Sequence, residues 1–179
     1  MSGSEFEPLL LKLLSTVVLF RELEREDLVD MLRSSTKAVF APGEIVFEEG
    51  FSGHSMYIVV QGRFEVFKSV GREEAHVAEI FPGEHFGEIA LVTDRPRMAS
   101  VRALEDSVAL RLTNAAIFAQ PSVAVFLLKN MARLMATHLS EMNDEVLLLD
   151  MSRRYRNEAQ ERQAAAPVSK PKPVSRNVG

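Results

Sequence analysis

Phe86-Gly87-Glu88-Ile89-Ala90-Leu91-Val92-Thr93-Asp94-Arg95-Pro96-Arg97-Met98-Ala99-Ser100-Val101 is the stretch around which this 179-residue chain is organised. A Pro82-Gly83 turn precedes it, and Gly87 opens a short apolar run, Ile89 to Val92, with room for one or two helical turns. A helix that starts here aims free backbone N–H groups outward, which suits an anion. Gly87 has no side chain to keep that anion away from the backbone. Pro96 fixes its own φ and presents Arg97 at the end of a loop. The Arg97 fork fits phosphate oxygens two at a time. Glu88 beside a phosphate makes sense if the ligand also carries a hydroxyl, because an ionised carboxylate only accepts hydrogen bonds. Donors for a phosphate, an acceptor for a hydroxyl and small residues between them describe a ribose-phosphate.

Working outward, the length suits one domain with attachments, and 46% hydrophobic residues are enough for a real core. There is no cysteine, which removes disulfides, thiolate chemistry and cysteine-based metal sites. The formal net charge is −4. Lys170, Lys172 and Arg176 lie in an acid-free C-terminal segment, and without them 18 basic residues face 25 acidic ones, or −7. Such an acidic body argues against sequence-independent nucleic-acid binding. The acidic N-terminus predicts no secretory signal, and the run from Leu9 to Phe20 is interrupted by Lys12 and too short to span a bilayer. The expectation is a cytoplasmic protein with no membrane insertion.

Leu9, Leu10, Leu13, Leu14, Val17 and Val18 predict a helix over 5–18, and Leu28, Met31 and Leu32 predict the inward face of a second over 24–32, with a turn between. From Thr36 the period shortens. Strands are expected at 38–40, 45–48, 56–60, 64–67, 77–81, 99–104 and 108–112, punctuated by Pro42-Gly43, Gly50, Ser52-Gly53, Gln61-Gly62, Gly71 and Pro82-Gly83. Short strands at this spacing predict a small antiparallel barrel or roll. A metal-dependent enzyme on such a roll needs clustered ligands, and His54, His76, His85 and His138 are scattered. Asn114 is placed to cap a short helix over 115–119, and Pro121 to start a long one. Leu128, Met131, Met135, Leu139, Met142, Val146 and Leu149 recur at steps of three and four, a stripe longer than one small roll can cover. Asn143-Asp144 is expected to bend it, and a disordered tail is expected from 164 to 179.

The opening stretch resembles the phosphate-binding cassette of the cyclic nucleotide-binding domain family: Phe-Gly-Glu, an apolar residue, Ala-Leu, a variable loop, Pro-Arg, a small residue, then Ala, Ser or Thr, and Val. It departs only at Met98, where the family usually has Ala, Thr or Ser. Pro42-Gly43-Glu44, Glu49-Gly50, Met56-Tyr57-Ile58 and Pro82-Gly83-Glu84 extend the resemblance from about Leu11 to Leu139. His54 stands where many members carry Asp.

The resemblance implies an α+β fold: an antiparallel, jelly-roll-like β-roll flanked by N-terminal helices and a long C-terminal helix or helix pair. The expected divisions are N-terminal helices at 1–35, the roll at 36–113 with its cassette at 86–101, C-terminal helices at 114–163 and the tail. It also implies a receptor rather than an enzyme, with no catalytic residues, metal or cofactor. The ligand is cAMP, with cGMP as the alternative. The implied binding residues are Phe86, Gly87, Glu88, Ile89, Ala90, Arg97, Met98, Ala99 and Ser100. Backbone N–H groups near Gly87, Ala90 and Ala99 would hold the cyclic phosphate, Arg97 its charge and Glu88 the ribose 2′-hydroxyl. Without ligand, Arg97 has a second candidate role, holding Glu88. Leu147, Leu148, Met151 and Tyr155 are lid candidates over the base, and Tyr155 is open to stacking on the purine or packing in the helix seam. Family transcription factors carry a helix-turn-helix after the long helix, and too few residues follow Glu161 for one. Regulation of a protein partner, or self-association through the C-terminal helix, is therefore expected, without nucleic acid. The alternative is a scaffold that keeps the fold, has lost the ligand and acts through its Met/Leu-rich helical surface.

Overall fold

A computed structural model of the chain describes residues 3–93 and 95–164. It divides into two units, Met1–Arg133 and Leu134–Gly179.

The first unit opens with helix α1 (Gly3–Thr16) and a 3-10 turn (Val18–Phe20), followed by α2 (Arg25–Ser34). Leu11, Leu14, Val17, Leu19 and Phe20 are buried while Leu9 is exposed, so the inward face centres on Leu14. The segment expected as a plain turn is a helical turn that buries two large side chains. On α2, Leu28 and Met31 are buried as expected, and Leu32 is half-buried.

Eight strands follow: β1 (Thr36–Phe40), β2 (Ile45–Phe47), β3 (Ser55–Gln61), β4 (Phe64–Val70), β5 (Glu73–Ile80), β6 (His85–Phe86), β7 (Ser100–Ala103) and β8 (Ser107–Thr113). They form two antiparallel four-stranded sheets, in the orders β1-β8-β3-β6 and β2-β7-β4-β5. Side chains alternate across a strand, so Tyr57 and Val59 share one face of β3. They meet Phe64, Phe86, Val101, Ala103 and Ala109 in one core. Met56 and Ile58 point the other way and are also buried. A strand covered on both faces reads as an unbroken apolar run, as Met56–Val60 does.

Two strands depart from expectation. β5 begins at Glu73, not Val77, because it extends a hairpin with β4 in which Val70 pairs with Glu73 across Gly71-Arg72. Its outer half carries charged side chains and so lacks an apolar signature. β6 is two residues long, too short for periodicity to reveal, yet its pairing with Tyr57 and Ile58 places the cassette. His85 therefore lies on a strand.

Helices α3 (Asn114–Phe118) and α4 (Pro121–Ala164) complete the described chain. Thr113, not Asn114, caps α3: its Oγ1 accepts the Ala116 N–H at 3.2 Å. The expected division into two helices at Asn143-Asp144 does not occur: α4 is helical through both residues. No Gly or Pro interrupts it there, and Asn carries only a modest helix penalty. Val123, Ala124, Leu127 and Met131 are buried. In the second unit Met135, Leu139, Met142, Val146 and Leu149 are exposed. The part of the expected tail from residue 165 lies outside the described residues.

A polar latch fixes the early loop to α4. The buried Asn130 side chain donates to Leu19 O at 3.1 Å and Arg21 O at 2.7 Å. Glu22, held at φ 69°, accepts from Lys129 Nζ at 2.6 Å and from Arg133. These two cations pull the Glu22 carboxyl down from 4.5 to about 2. Because the folded value is depressed, this stabilisation is fully present above about pH 4.5 and drains away as pH falls through about 2. The Glu22 side chain is solvent-exposed, so salt screens the effect. In thermal melts, wild type should exceed Glu22→Gln in Tm at pH 7, with the gap largely closed near pH 2 and narrowed by salt. A gap that does not change with pH contradicts the ion pairing.

Candidate functional site

The site is built where β6 runs into the cassette. Gly87 takes φ 80°, a left-handed conformation that glycine adopts without strain, and a 3-10 helix (Glu88–Leu91) follows. The N–H groups of its first turn have no partner within the helix. Ala90 and Leu91 are buried, while Glu88 and Ile89 are half-buried.

Arg97 returns to this point from the far side of the loop. Its backbone is locked to the turn after β2: its N–H donates to Phe51 O at 2.8 Å, and its carbonyl accepts from Gly50 N–H at 2.9 Å. The side chain is only 7% exposed. Nη1 donates to Gly87 O at 2.9 Å and Nη2 to Ser55 O at 2.7 Å. Cζ lies 3.9 Å from the centre of the Phe47 ring. Nε is buried and has no hydrogen-bond partner among the described residues. The ion pairs among the described residues include none to Arg97, so two carbonyl dipoles and an aromatic face carry a full charge. Burial pushes the Arg97 guanidinium below the usual arginine range; the nearby Tyr57 and Glu88 oppose the shift, and Arg111 adds to it.

The Arg97 fork is engaged on Gly87 and Ser55, so it does not hold Glu88 here as one sequence expectation had it. Burial also separates this arrangement from a solvated surface ion pair. An unneutralised buried cation is costly, and an anion that reaches it relieves that cost.

The remaining expected residues divide. Ala99 lies beside Arg97 and is half-buried, and Met98 is half-exposed. Ser100 is buried at the start of β7, where its Oγ accepts the Glu49 N–H at 2.9 Å. The Phe86 ring lies in the roll core, stacked on Tyr57 at 5.1 Å, so it supports the site from beneath. Leu147, Leu148, Met151 and Tyr155 lie on α4 and are exposed.

Four residues that the sequence did not single out hold the site in shape. Phe47 lies against Arg97, and Ser55 supplies a carbonyl to it. Gly53 gives it room: a Cβ there would stand 2.6 Å from Arg97 Nη2 and 2.7 Å from Cζ. Asn114 joins the site to the helices. Its N–H donates to His54 O at 2.8 Å, and its side-chain amide donates to Leu91 O at 3.3 Å, at the end of the cassette helix. Of these, Gly53 left a trace in the sequence as a glycine in a turn and Asn114 as a helix cap, neither as part of a site.

A buried cationic fork, the start of a short helix and a half-buried carboxylate thus lie in one stretch of chain. Residues 37–120 match the family described as the cyclic nucleotide-binding domain. The cAMP-dependent protein kinase regulatory subunit of Blastocladiella emersonii is 38% identical over 81 residues, 45% of this chain and 19% of that protein. The cyclic AMP receptor protein of Thermus thermophilus is 31% identical over 132 residues, 73% of this chain and 61% of that protein. The chain therefore spans less than two thirds of the length of these relatives. Among solved structures, the Thermus thermophilus catabolite activator protein aligns with a TM-score of 0.68 at 30% identity, covering 74% of this chain and 63% of that one. The regulatory domain of Toxoplasma gondii PKA, solved with cAMP, aligns at 0.63 and 26% identity, covering 66% and 46%. Over the covered residues the chain shares its fold with these two structures.

Gly53→Ala tests the packing around Arg97 without invoking any ligand. The added methyl collides with the guanidinium, and relieving such overpacking costs about 1–3 kcal/mol. Urea denaturation should show that loss, whereas Ser52→Ala, one residue away and exposed, should stay within about 0.5 kcal/mol. Equal stability of the two variants contradicts the described fit.

Proposed function

We propose that this protein is a cytoplasmic, non-catalytic receptor module for cAMP that regulates a protein partner through α4. The observation that carries the ligand reading is Arg97, a buried cation with no ion pair among the described residues, beside the start of the cassette helix, where no side chain caps the backbone. In the ligand complex, N–H groups at Gly87, Ala90 and Ala99 hold the cyclic phosphate and Arg97 neutralises it. Ile89 and Ser100 shape the same wall. Glu88 accepts the ribose 2′-hydroxyl, a role consistent with its partial burial and its place at the start of that helix. Met98 follows Arg97 with only a weakly accepting thioether, so nothing at that position rewards guanine over adenine. The names of the two relatives support cAMP as the nucleotide.

Calorimetry tests the ligand directly. Wild type should bind cAMP more tightly than cGMP. Arg97→Ala should lose a charge-assisted interaction of roughly 1.5–3 kcal/mol, about 10- to 150-fold in affinity. Equal cAMP affinity for the two proteins removes Arg97 from the phosphate.

The output uses the helix. At about 100° per residue, Met135, Leu139, Met142, Val146 and Leu149 fall on one side of α4, while Leu147, Leu148, Met151 and Tyr155 fall roughly opposite. Two separate apolar stripes allow one helix to meet a partner, or a second copy, while it covers the base of bound nucleotide. Covering apolar base surface stabilises the complex by about 25 cal/mol per Å². Ligand then shifts the population of helix positions, and partner and nucleotide affinities are coupled reciprocally. Hydrogen exchange over residues 145–156 should slow when cAMP is added. Unchanged exchange rejects the lid and leaves α4 as a ligand-independent interaction surface.

A further inference from the structure

We propose that Phe47 is a positioning residue of the phosphate site: its ring holds the Arg97 guanidinium in the orientation that meets the ligand's anion. This rests on the nucleotide reading above and adds a residue to it. Phe47 ends β2 and is half-buried. Its ring packs 6.1 Å from Tyr57 and 5.9 Å from Phe86, so it is anchored in the roll's aromatic core. The face that remains is 3.9 Å from Arg97 Cζ. A Cβ on Gly87 would stand 3.3 Å from Phe47 Cε1 and 2.7 Å from Arg97 Nη1, so ring, guanidinium and cassette backbone form one close stack.

The charge balance explains why a ring belongs there. A carboxylate partner would neutralise Arg97 and compete with an incoming phosphate. The electron-rich ring face stabilises a desolvated cation and leaves it uncancelled. Gly87 O and Ser55 O fix two nitrogens within the guanidinium plane, and Phe47 fixes the plane itself. With an aliphatic side chain in place of the ring, Arg97 keeps its carbonyls but can tilt, and its bidentate geometry toward phosphate is lost.

The test compares wild type, Phe47→Leu and Phe47→Tyr by cAMP titration, each also in an Arg97→Gln background. Phe47→Leu should weaken cAMP binding by about 2- to 30-fold. Phe47→Tyr should restore it, and the Leu penalty should vanish in Arg97→Gln. A merely structural role would weaken both backgrounds alike. A second measurement needs no nucleotide. The Arg97 Nε–H proton, identified by its loss in Arg97→Lys, should resonate upfield of the other arginines through the Phe47 ring current and move downfield in Phe47→Leu. If wild type binds cAMP and Phe47→Leu binds equally well, or loses the same factor in both backgrounds, the proposal fails while the nucleotide reading stands. If wild type binds no cyclic nucleotide, the nucleotide reading fails and the proposal with it. An Arg97 Nε–H at an ordinary position rejects the stacking itself.

Discussion

A guanidinium held in the interior, with no carboxylate paired to it among the described residues, constrains the structure on every side. Arg97 needs acceptors, and Gly87 and Ser55 supply backbone carbonyls. It needs space, and Gly53 and Gly87 lack the Cβ atoms that would occupy it. It needs its own backbone held, and the exchange with Gly50 and Phe51 does this. Beneath it lies a floor of aromatic rings, Phe47, Tyr57 and Phe86, each contributed by a different strand. The two sheets can be understood as the scaffold that brings β2, β3 and β6 together under one cation.

The same arrangement reaches the helices in few steps. Ser55, whose carbonyl holds Arg97, also accepts a hydrogen bond on its Oγ from Arg111 of β8. Asn114, three residues after Arg111, bonds both His54 O and Leu91 O, one on each side of the site, and begins α3. The α4 segment after Pro121 is fixed in turn by Asn130 and by the two cations on Glu22. Polar contacts thus run from Arg97 through Ser55 to Arg111 of β8, and from the end of the cassette helix through Asn114 to the start of α3.

The parts legible in the sequence were those that obey a period or a motif. The Leu14 face of α1, the apolar run of β3 and the cassette itself could be read from residue order. β6 escaped because two residues carry no period, and the first half of β5 because Glu73, Glu74 and His76 point to water and to one another's partners. The Asn143-Asp144 bend was expected from the family resemblance, and a long helix tolerates both residues. Phe47 was invisible as a site residue for a different reason: an aromatic side chain on a short strand looks like core. Only the fold shows that one face of its ring touches a cation.

The most direct measurement is a crystal structure of the protein grown with cAMP. The account predicts the cyclic phosphate within hydrogen-bonding distance of Arg97 and of the cassette N–H groups at Ala90 and Ala99, with the ribose 2′-hydroxyl on Glu88. A nucleotide bound elsewhere, or a cassette that stays empty with Arg97 still confined to Gly87 O and Ser55 O, would contradict it.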